Sequence, residues 1–352
     1  MAKVKKAKNK PVVGLDLGCD SMKLVLCSGG KVKKYFQAPM PQNLMKEGRA
    51  VSPEALGELL RSALKVNGFS CRDAALVLPN DVVYLRNVTM PRMTAEQLVY
   101  NLPFEFRDYI SDEFKDYAFD YAMISTPDEL LGKKAEADDK KDDEEGEFGS
   151  GAMQLLAVAV PLEVIEEYRM ALRKAGLKLA KLAPTVSAFR ELIVRQSGGD
   201  APEREDCVLD LGSQSIRMYM FKGGRHVVTR VLEIGLSTID QVIADALSID
   251  VHLAHTYLLT NHEDCQNAEY CRNTYGNIAV ELMRALNFYR FSNPDSRLND
   301  LWVCGGGANI APLRAAIEET LDLTVHAASE LVDGVEDAGA FAQAVGITMT
   351  GD

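Results

Sequence analysis

The chain carries one short pattern twice, and that repeat limits what it can fold into more than any other feature. Val12-Val13-Gly14-Leu15-Asp16-Leu17-Gly18-Cys19-Asp20-Ser21 is an apolar run entering a tight turn of Asp, Gly and small polar residues. A second apolar run, Leu24 to Cys27, leaves the turn. Far downstream, Cys207-Val208-Leu209-Asp210-Leu211-Gly212-Ser213-Gln214-Ser215 repeats the entry, and Ile216 to Phe221 repeats the exit. Apolar runs joined by such turn residues signal hairpins. Two of them in separate halves predict a duplicated fold with a site between its halves.

The chain is long enough for two lobes. Of its 352 residues 47 % are hydrophobic, which supports a sizeable core and excludes global disorder. The formal net charge of −12 excludes a general nucleic-acid binder, because phosphate contact needs a basic face. The segment Lys133 to Glu147 holds four Lys and eight Asp or Glu, so it contributes only −4 of that charge. Seven cysteines occur with no CxxC spacing, which predicts reduced, mostly buried thiols of a cytosolic protein. No apolar run approaches the ~20 residues that span a bilayer. The lysine-rich start, Met1 to Lys10, has no signal-type apolar region after it and reads as a solvated tail.

In chain order, the first hairpin is followed by a strand over 31–37. Ser52-Pro53 opens a helix to about Val66 with Leu56, Leu59, Leu60 and Leu64 on one face, and Gly68 closes it. A buried strand over 74–78 stops at Pro79. A strand over 82–88 ends at Met90-Pro91. Thr94-Ala95-Glu96-Gln97 reads as a capping box, and Pro103 breaks the helix it starts. A strand over 116–124 puts Tyr117, Phe119 and Tyr121 on one face. The charged stretch Gly132 to Gly151 reads as a loop joining neighbouring strands, and Met153 to Val160 resumes as a strand. Helices follow from Pro161 to Ala175 and from Pro184 to about Gln196. Ser197 to Pro202 is the expected boundary between halves. In the second half the hairpin leads to a strand over 227–234, then to helices over 237–247 (capped by Ser237), 252–260 and 273–291. A strand over 301–304 runs into Gly305-Gly306-Gly307. Helices from Asn309 and from Asp337 to Val345 follow, the latter ended by Gly346.

Together these pieces suit a polyanion. Backbone N–H groups of a tight turn form a nest, and glycine lets the backbone approach. Gly18, Cys19, Asp20 and Ser21 in one turn, with Gly212, Ser213, Gln214 and Ser215 in the other, are the candidate phosphate contacts. Asp16 and Asp210 end their first strands, where they could hold Mg²⁺ through its waters. Lys23 either neutralises phosphate or points to solvent. Gly305, Gly306, Gly307 and Asn309 make a strand–glycine–helix passage that leaves a nucleoside room against bare backbone.

These motifs, in this order, resemble the actin/Hsp70/sugar-kinase nucleotide-binding fold. Within it the chain resembles the PilM type IV pilus assembly proteins, relatives of the division protein FtsA. The likeness covers most of residues 12–349. It is carried by the two turns and by Leu78-Pro79, Leu85 to Pro91, Phe104-Glu105-Phe106, Leu155 to Val160, Ala175-Gly176-Leu177 and Arg284 to Tyr289 leading into Gly305 to Ala308. The resemblance implies an α/β fold of the actin-like (ribonuclease H-like) type, duplicated, bilobal and carrying an inserted subdomain. Its expected parts are 12–69 in the first lobe, an insert over 70–160 with the acidic loop 132–151, return helices over 161–200, and a second lobe over 204–349. It implies ATP and Mg as cofactors, with Gly235, Glu281 and Arg284 added to the nucleotide contacts. It also implies a cytoplasmic scaffold of the pilus platform on the inner face of the membrane. The scaffold would be held there by the N-terminal segment of a PilN-like membrane protein, with other platform proteins and a motor ATPase as further partners.

The chain departs from the family pattern at Cys19, in place of a hydroxyl residue, at Ala285, in place of Ser, and at Glu233-Ile234-Gly235-Leu236, in place of a Gly-Gly pair. Each removes a donor or some clearance, worth roughly 0.5–1.5 kcal/mol per neutral hydrogen bond. No residue is assignable as a hydrolytic base, so at most a slow ATPase is expected; Glu191 and Gln196 fit surface helix positions better. His252, His255, His262, Cys265 and Cys271 crowd one segment without a structural-zinc spacing. Glu166-Glu167 and Asp112-Glu113 read as solvated faces. The rival functions are a small-molecule kinase of the same fold and an FtsA-like filament former.

Overall fold

The computed structural model describes residues 10–110, 113–125, 152–199 and 203–350. The lysine-rich start before Lys10, the acidic stretch 132–151 and Asp112 lie outside them. In the first half the elements are β1 (Val12–Leu17), β2 (Ser21–Ser28), β3 (Lys31–Pro39), β4 (Met45–Lys46), β5 (Arg49–Ala50), α1 (Pro53–Val66), β6 (Asp73–Leu78), β7 (Tyr84–Pro91), α2 (Ala95–Asn101), β8 (Tyr117–Ser125), β9 (Ala152–Pro161), α3 (Leu162–Ala175), β10 (Lys178–Pro184) and α4 (Thr185–Gln196). The second half contains β11 (Glu205–Leu211), β12 (Ile216–Lys222), β13 (Arg225–Leu232), α5 (Leu236–Leu247), α6 (Val251–Thr260), α7 (Glu269–Ser292), β14 (Asp300–Cys304), α8 (Ala311–Thr320), β15 (Thr324–Ala327) and α9 (Ala338–Met349).

The duplication is visible in the sheets. The first has the order β10-β6-β1-β2-β3 and the second β15-β14-β11-β12-β13. In both, an antiparallel hairpin and its third strand continue into parallel strands. The hairpin strands are apolar because both faces are covered; all seven residues of β11 are buried. β3, at an edge, alternates exposed and half-buried positions instead.

One face of the first sheet packs on α1 and α3. Leu56, Leu60 and Leu64 of α1 meet Leu15, Leu24 and Leu76 of the sheet and Tyr168 and Leu172 of α3 in one core. Fully burying each such leucine contributes about 1.5–3 kcal/mol. The opposite faces of the two sheets share a second core built on α4 and α9. Val25 and Cys27 of β2, Phe189 of α4, Val208, Tyr219 and Trp302 of the second sheet, and Phe341 and Ala344 of α9 belong to it. Glycine makes the seat possible: a Cβ on Gly14 of β1 would lie 1.9 Å from Ala344 O, and one on Gly346 would lie 2.3 Å from Ala188 O.

That contact corrects one expectation. Gly346 does not end the last helix, which runs on to Met349; it is the point where α9 touches α4. Four strands were not foreseen: the two-residue pair β4 and β5, and the longer β10 and β15. β10 and β15 are the outer parallel strands of the two sheets, at equivalent positions. Ser237 is not a cap, because α5 starts one residue earlier, with Gly235 before it. The break at Pro103 is present: α2 ends at Asn101 and a 3-10 turn covers Leu102–Phe106.

The insert has its own antiparallel sheet, β7-β9-β8, so the acidic stretch does join two paired strands. Its own sheet begins at β7, later than the start near residue 70 expected from the sequence, because β6 pairs with β1 in the first sheet. Tyr117, Phe119 and Tyr121 pack on a core of Val88, Leu98, Phe106 and Leu155. Thr94 and Gln97 form the predicted capping box.

Candidate nucleotide site

The two hairpin turns face one another. Asp16, at the end of β1, lies opposite Lys23 of β2 in the ladder, and Lys23 Nζ reaches Asp16 Oδ2 at 3.4 Å. Both side chains are about 15 % exposed or less, so Lys23 points into the site and not to solvent. Asp210, at the corresponding place on β11, is almost fully buried. Burial, followed by the charge of Asp16, pushes its carboxyl up to about 6; Arg217 and Lys23 act the other way. A carboxylate of the first half thus lies within electrostatic reach of one in the second. The loop after β3 meets α6, where Gln42 Nε2 lies 2.7 Å from His252 Nε2.

Each turn is held by local geometry. In the first, Gly18 N donates to Ser21 O at 3.1 Å and Met40 N to Asp20 O at 2.8 Å. In the second, the start of α5 supplies the clamp. Leu236 N donates to Gly212 O at 3.1 Å and Ser237 N to Ser213 O at 3.0 Å. Gly235 is needed there for space, because a Cβ would fall 2.2 Å from Ser213 O. Among the described residues, the N–H groups at the tips, those of Cys19, Asp20, Ser213 and Gln214, have no protein acceptor. Ser215 is buried beneath its turn and Gln214 is exposed above it.

The triple glycine closes onto the second turn. Gly305 has φ +85°, a region that favours glycine, and a Cβ there would lie 2.6 Å from both Asp210 Oδ1 and Leu211 O. Gly305 N donates to Gly339 O at 3.0 Å, which ties the passage to α9. Gly307 packs on Leu211 and Leu236, and the Leu236 side chain also approaches Gly306. Leu236 therefore covers part of the glycine face. Asn309 is exposed at the end of this turn. Glu281 and Arg284 pair with each other on the exposed side of α7, while Ala285 packs into the second-half core.

Several candidates lie elsewhere. Glu191 pairs with Arg190 and lines a cavity with Arg195, Cys27 and Gly30, on the side of β2 away from the turn. His255 Nδ1 bonds Asp240 Oδ2 at 2.9 Å, and His262 packs against Tyr257 with its ring tilted by 40°. Among the described residues, no three His, Cys, Asp or Glu side chains are grouped to hold a metal ion. All seven cysteines are free, and five of them are buried.

Sequence reasoning missed three polar residues. Gln343 of α9 donates from Nε2 to Asp210 Oδ2 at 2.9 Å. It is the one amide side chain in a helix of otherwise apolar and small residues, and that contrast was its signal. Arg217 of β12 sits opposite Asp210, seven residues after it, as Lys23 follows Asp16. Arg217 Nη2 donates to Asp81 Oδ1 at 2.7 Å, and nothing in the sequence marks Asp81.

A family model described as type IV pilus assembly protein PilM matches residues 14–337. The chain belongs to the PilM family. The PilM fold here is similar to a solved PilM–PilN type IV pilus biogenesis complex, with 22 % identity, a TM-score of 0.78, and coverage of 96 % of this chain and 98 % of that one. It is also similar to the ethanolamine utilization protein EutJ of Carboxydothermus hydrogenoformans, with 15 % identity, TM-score 0.59, and 99 % and 92 % coverage. The MreB5 protein of Spiroplasma citri bound to ADP is a third neighbour, with 13 % identity, TM-score 0.50, and 98 % and 96 % coverage. No curated protein sequence matches the chain. The fold of this PilM-family chain is the actin-like one, with an antiparallel insert in its first half. Among the described residues, no single helix is long and apolar enough to cross a membrane.

Proposed function

We propose that this PilM-family chain binds Mg-ATP between its two hairpin turns and acts as a scaffold of the pilus assembly platform. The observation that carries the reading is the opposed pair of turns, in which burial and then the charge of Asp16 raise Asp210 while the tip amides have no protein acceptor. The groups present fit a polyphosphate with its cation. Amides of Cys19, Asp20, Ser213 and Gln214 would receive phosphate oxygens, Lys23 would neutralise charge, and Asp16 with Asp210 would hold the waters of Mg²⁺. Gly306 and Asn309, with Glu281 and Arg284, would border the nucleoside. Leu236, Cys19 and Ala285 reduce clearance or donors, so modest affinity is expected. Bound ATP supplies charge and occupancy, and no residue here is assigned as a hydrolytic base. A small-molecule kinase would need a catalytic Asp in a substrate pocket facing the γ-phosphate, and no observation favours one.

The scaffold role rests on family membership and on the PilN found with the solved relative. On this reading the first lobe, the insert and the second lobe are the working parts. The insert and the first lobe would take the N-terminal segment of a PilN-like membrane protein, which would hold the chain at the inner face of the membrane. Other platform proteins and a motor ATPase would assemble around it. Titration calorimetry with Mg-ATP and with the partner's N-terminal peptide tests both halves of the reading. Binding in each is the expected result; silence in both would overturn it.

A further inference from the structure

The two hairpins carry an acid and a base at the same spacing but use them differently. Asp16 and Lys23 face one another and meet. Asp210 and Arg217 also face one another, yet Arg217 bypasses Asp210 and bonds Asp81. The Arg217 side chain is 17 % exposed, and its Nε is buried with no acceptor among the described residues. Asp81 is nearly half exposed, on the short 3-10 turn Asn80–Val82 that leads into the insert. The charge of Asp81 acts on Cys19, at the tip of the first turn. The guanidinium therefore lies near both turns, held by a carboxylate that belongs to neither.

A planar guanidinium with a spare buried donor is suited to oxyanions, which it binds through two parallel hydrogen bonds. Its present partner is a singly charged, half-solvated carboxylate. A polyphosphate carries more charge and more acceptor oxygens. We propose that Arg217 is a polyphosphate ligand contributed by the second half, and that Asp81 competes with the nucleotide for it. This rests on the nucleotide reading above. Nucleotide entry then draws Arg217 from Asp81 and releases the charged tie between the second half and the base of the insert. Among the described residues neutral ties remain: Asn80 Nδ2 to the Tyr219 hydroxyl, and Asn87 Nδ2 to Val227 O at 2.8 Å and to His226 O at 3.3 Å. They keep the insert in place while the charged one changes partner. The occupancy of the site would thereby reach the region proposed to hold the membrane partner.

The test compares the full wild-type chain with Arg217→Gln and Asp81→Asn by calorimetric titration with Mg-ATP. Arg217→Gln is expected to weaken binding by about tenfold or more, because a charge-assisted contact is lost. Asp81→Asn is expected to tighten it, because the competitor is removed. A purely structural ion pair would move both variants in the same direction or neither. Hydrogen exchange over residues 80–87 provides a second readout. It should rise when Mg-ATP is added to the wild type and be high beforehand in Asp81→Asn. Unchanged affinity in Arg217→Gln, or weakened affinity in Asp81→Asn, overturns the proposal while leaving the nucleotide reading intact. If Arg217→Gln does not fold, Asp81→Asn alone decides by the sign of its effect. Failure of the wild type to bind overturns the nucleotide reading, and the proposal falls with it.

Discussion

The first and second hairpins share strand order, turn length and an acid at the end of the first strand, yet their acids live in different surroundings. Asp16 is partly exposed and has a lysine beside it. Asp210 is buried, wedged by Gly305, held by Gln343, and without the arginine that faces it across the ladder. Duplication preserved the backbone and let the polar partners diverge. One turn is a neutralised pair open to the site; the other is a carboxylate whose charge is costly.

The largest effect should come from Gly305, which packs on the second turn, set against Gly18 of the first. Gly305→Ala combines a left-handed backbone with contacts of 2.6–2.7 Å to Asp210 and Leu211, so it should cost roughly 2–4 kcal/mol. Gly18→Ala meets Ser21 O at 3.3 Å and Lys23 Nζ at an ordinary 3.9 Å, and should cost well under half of that. Urea unfolding of both variants checks the difference, and equal losses would mean that the two turns are no more than copies.

Next comes pH. The folded-state carboxyl of Asp210 is raised to about 6 from 3.8, so between those values the native state binds more protons than the unfolded chain. Stability from this group is therefore present below about pH 4 and lost as pH rises through 6. Relative to Asp210→Asn, the wild type should lose on the order of 2–3 kcal/mol across that window, without Mg²⁺ or nucleotide present. Unfolding curves at pH 4 and pH 7 measure it.

The smallest effect is expected at Lys23. Its pair with Asp16 is 3.4 Å long and partly solvated, so Lys23→Gln should change stability by about 1 kcal/mol or less. Its larger effect should be on Mg-ATP affinity, measured by the same titration. A stability loss equal to that of Gly305→Ala would break the contrast between the turns.

Much of the fold was legible because its central strands are strongly apolar and its turns are chemically marked. Of the strands that escaped, β4 and β5 have two residues each, and β10 and β15 lie at sheet edges. β10 reads Lys178-Leu179-Ala180-Lys181-Leu182-Ala183-Pro184 and β15 reads Thr324-Val325-His326-Ala327, so neither has the continuous apolar run of a central parallel strand. Gly346 was misread because a glycine inside a helix looks like an end unless the backbone it touches is known. At the site, the turn residues were visible as a motif. Gln343 and Asp81 were not, because each acts through a contact that spans more than a hundred residues of chain. Arg217 was half visible: its spacing from Asp210 copies that of Lys23 from Asp16, but its partner lies in the other half.

The seat of α9 on β1 has a consequence for biosynthesis. Gly14 leaves the ribosome 330 residues before Ala344, the residue of α9 that it touches. The first sheet can form its hairpin early, but one of its faces stays wet until α9 has been translated. A nascent chain stalled before residue 338 would expose that apolar face, which makes such intermediates natural clients for chaperones.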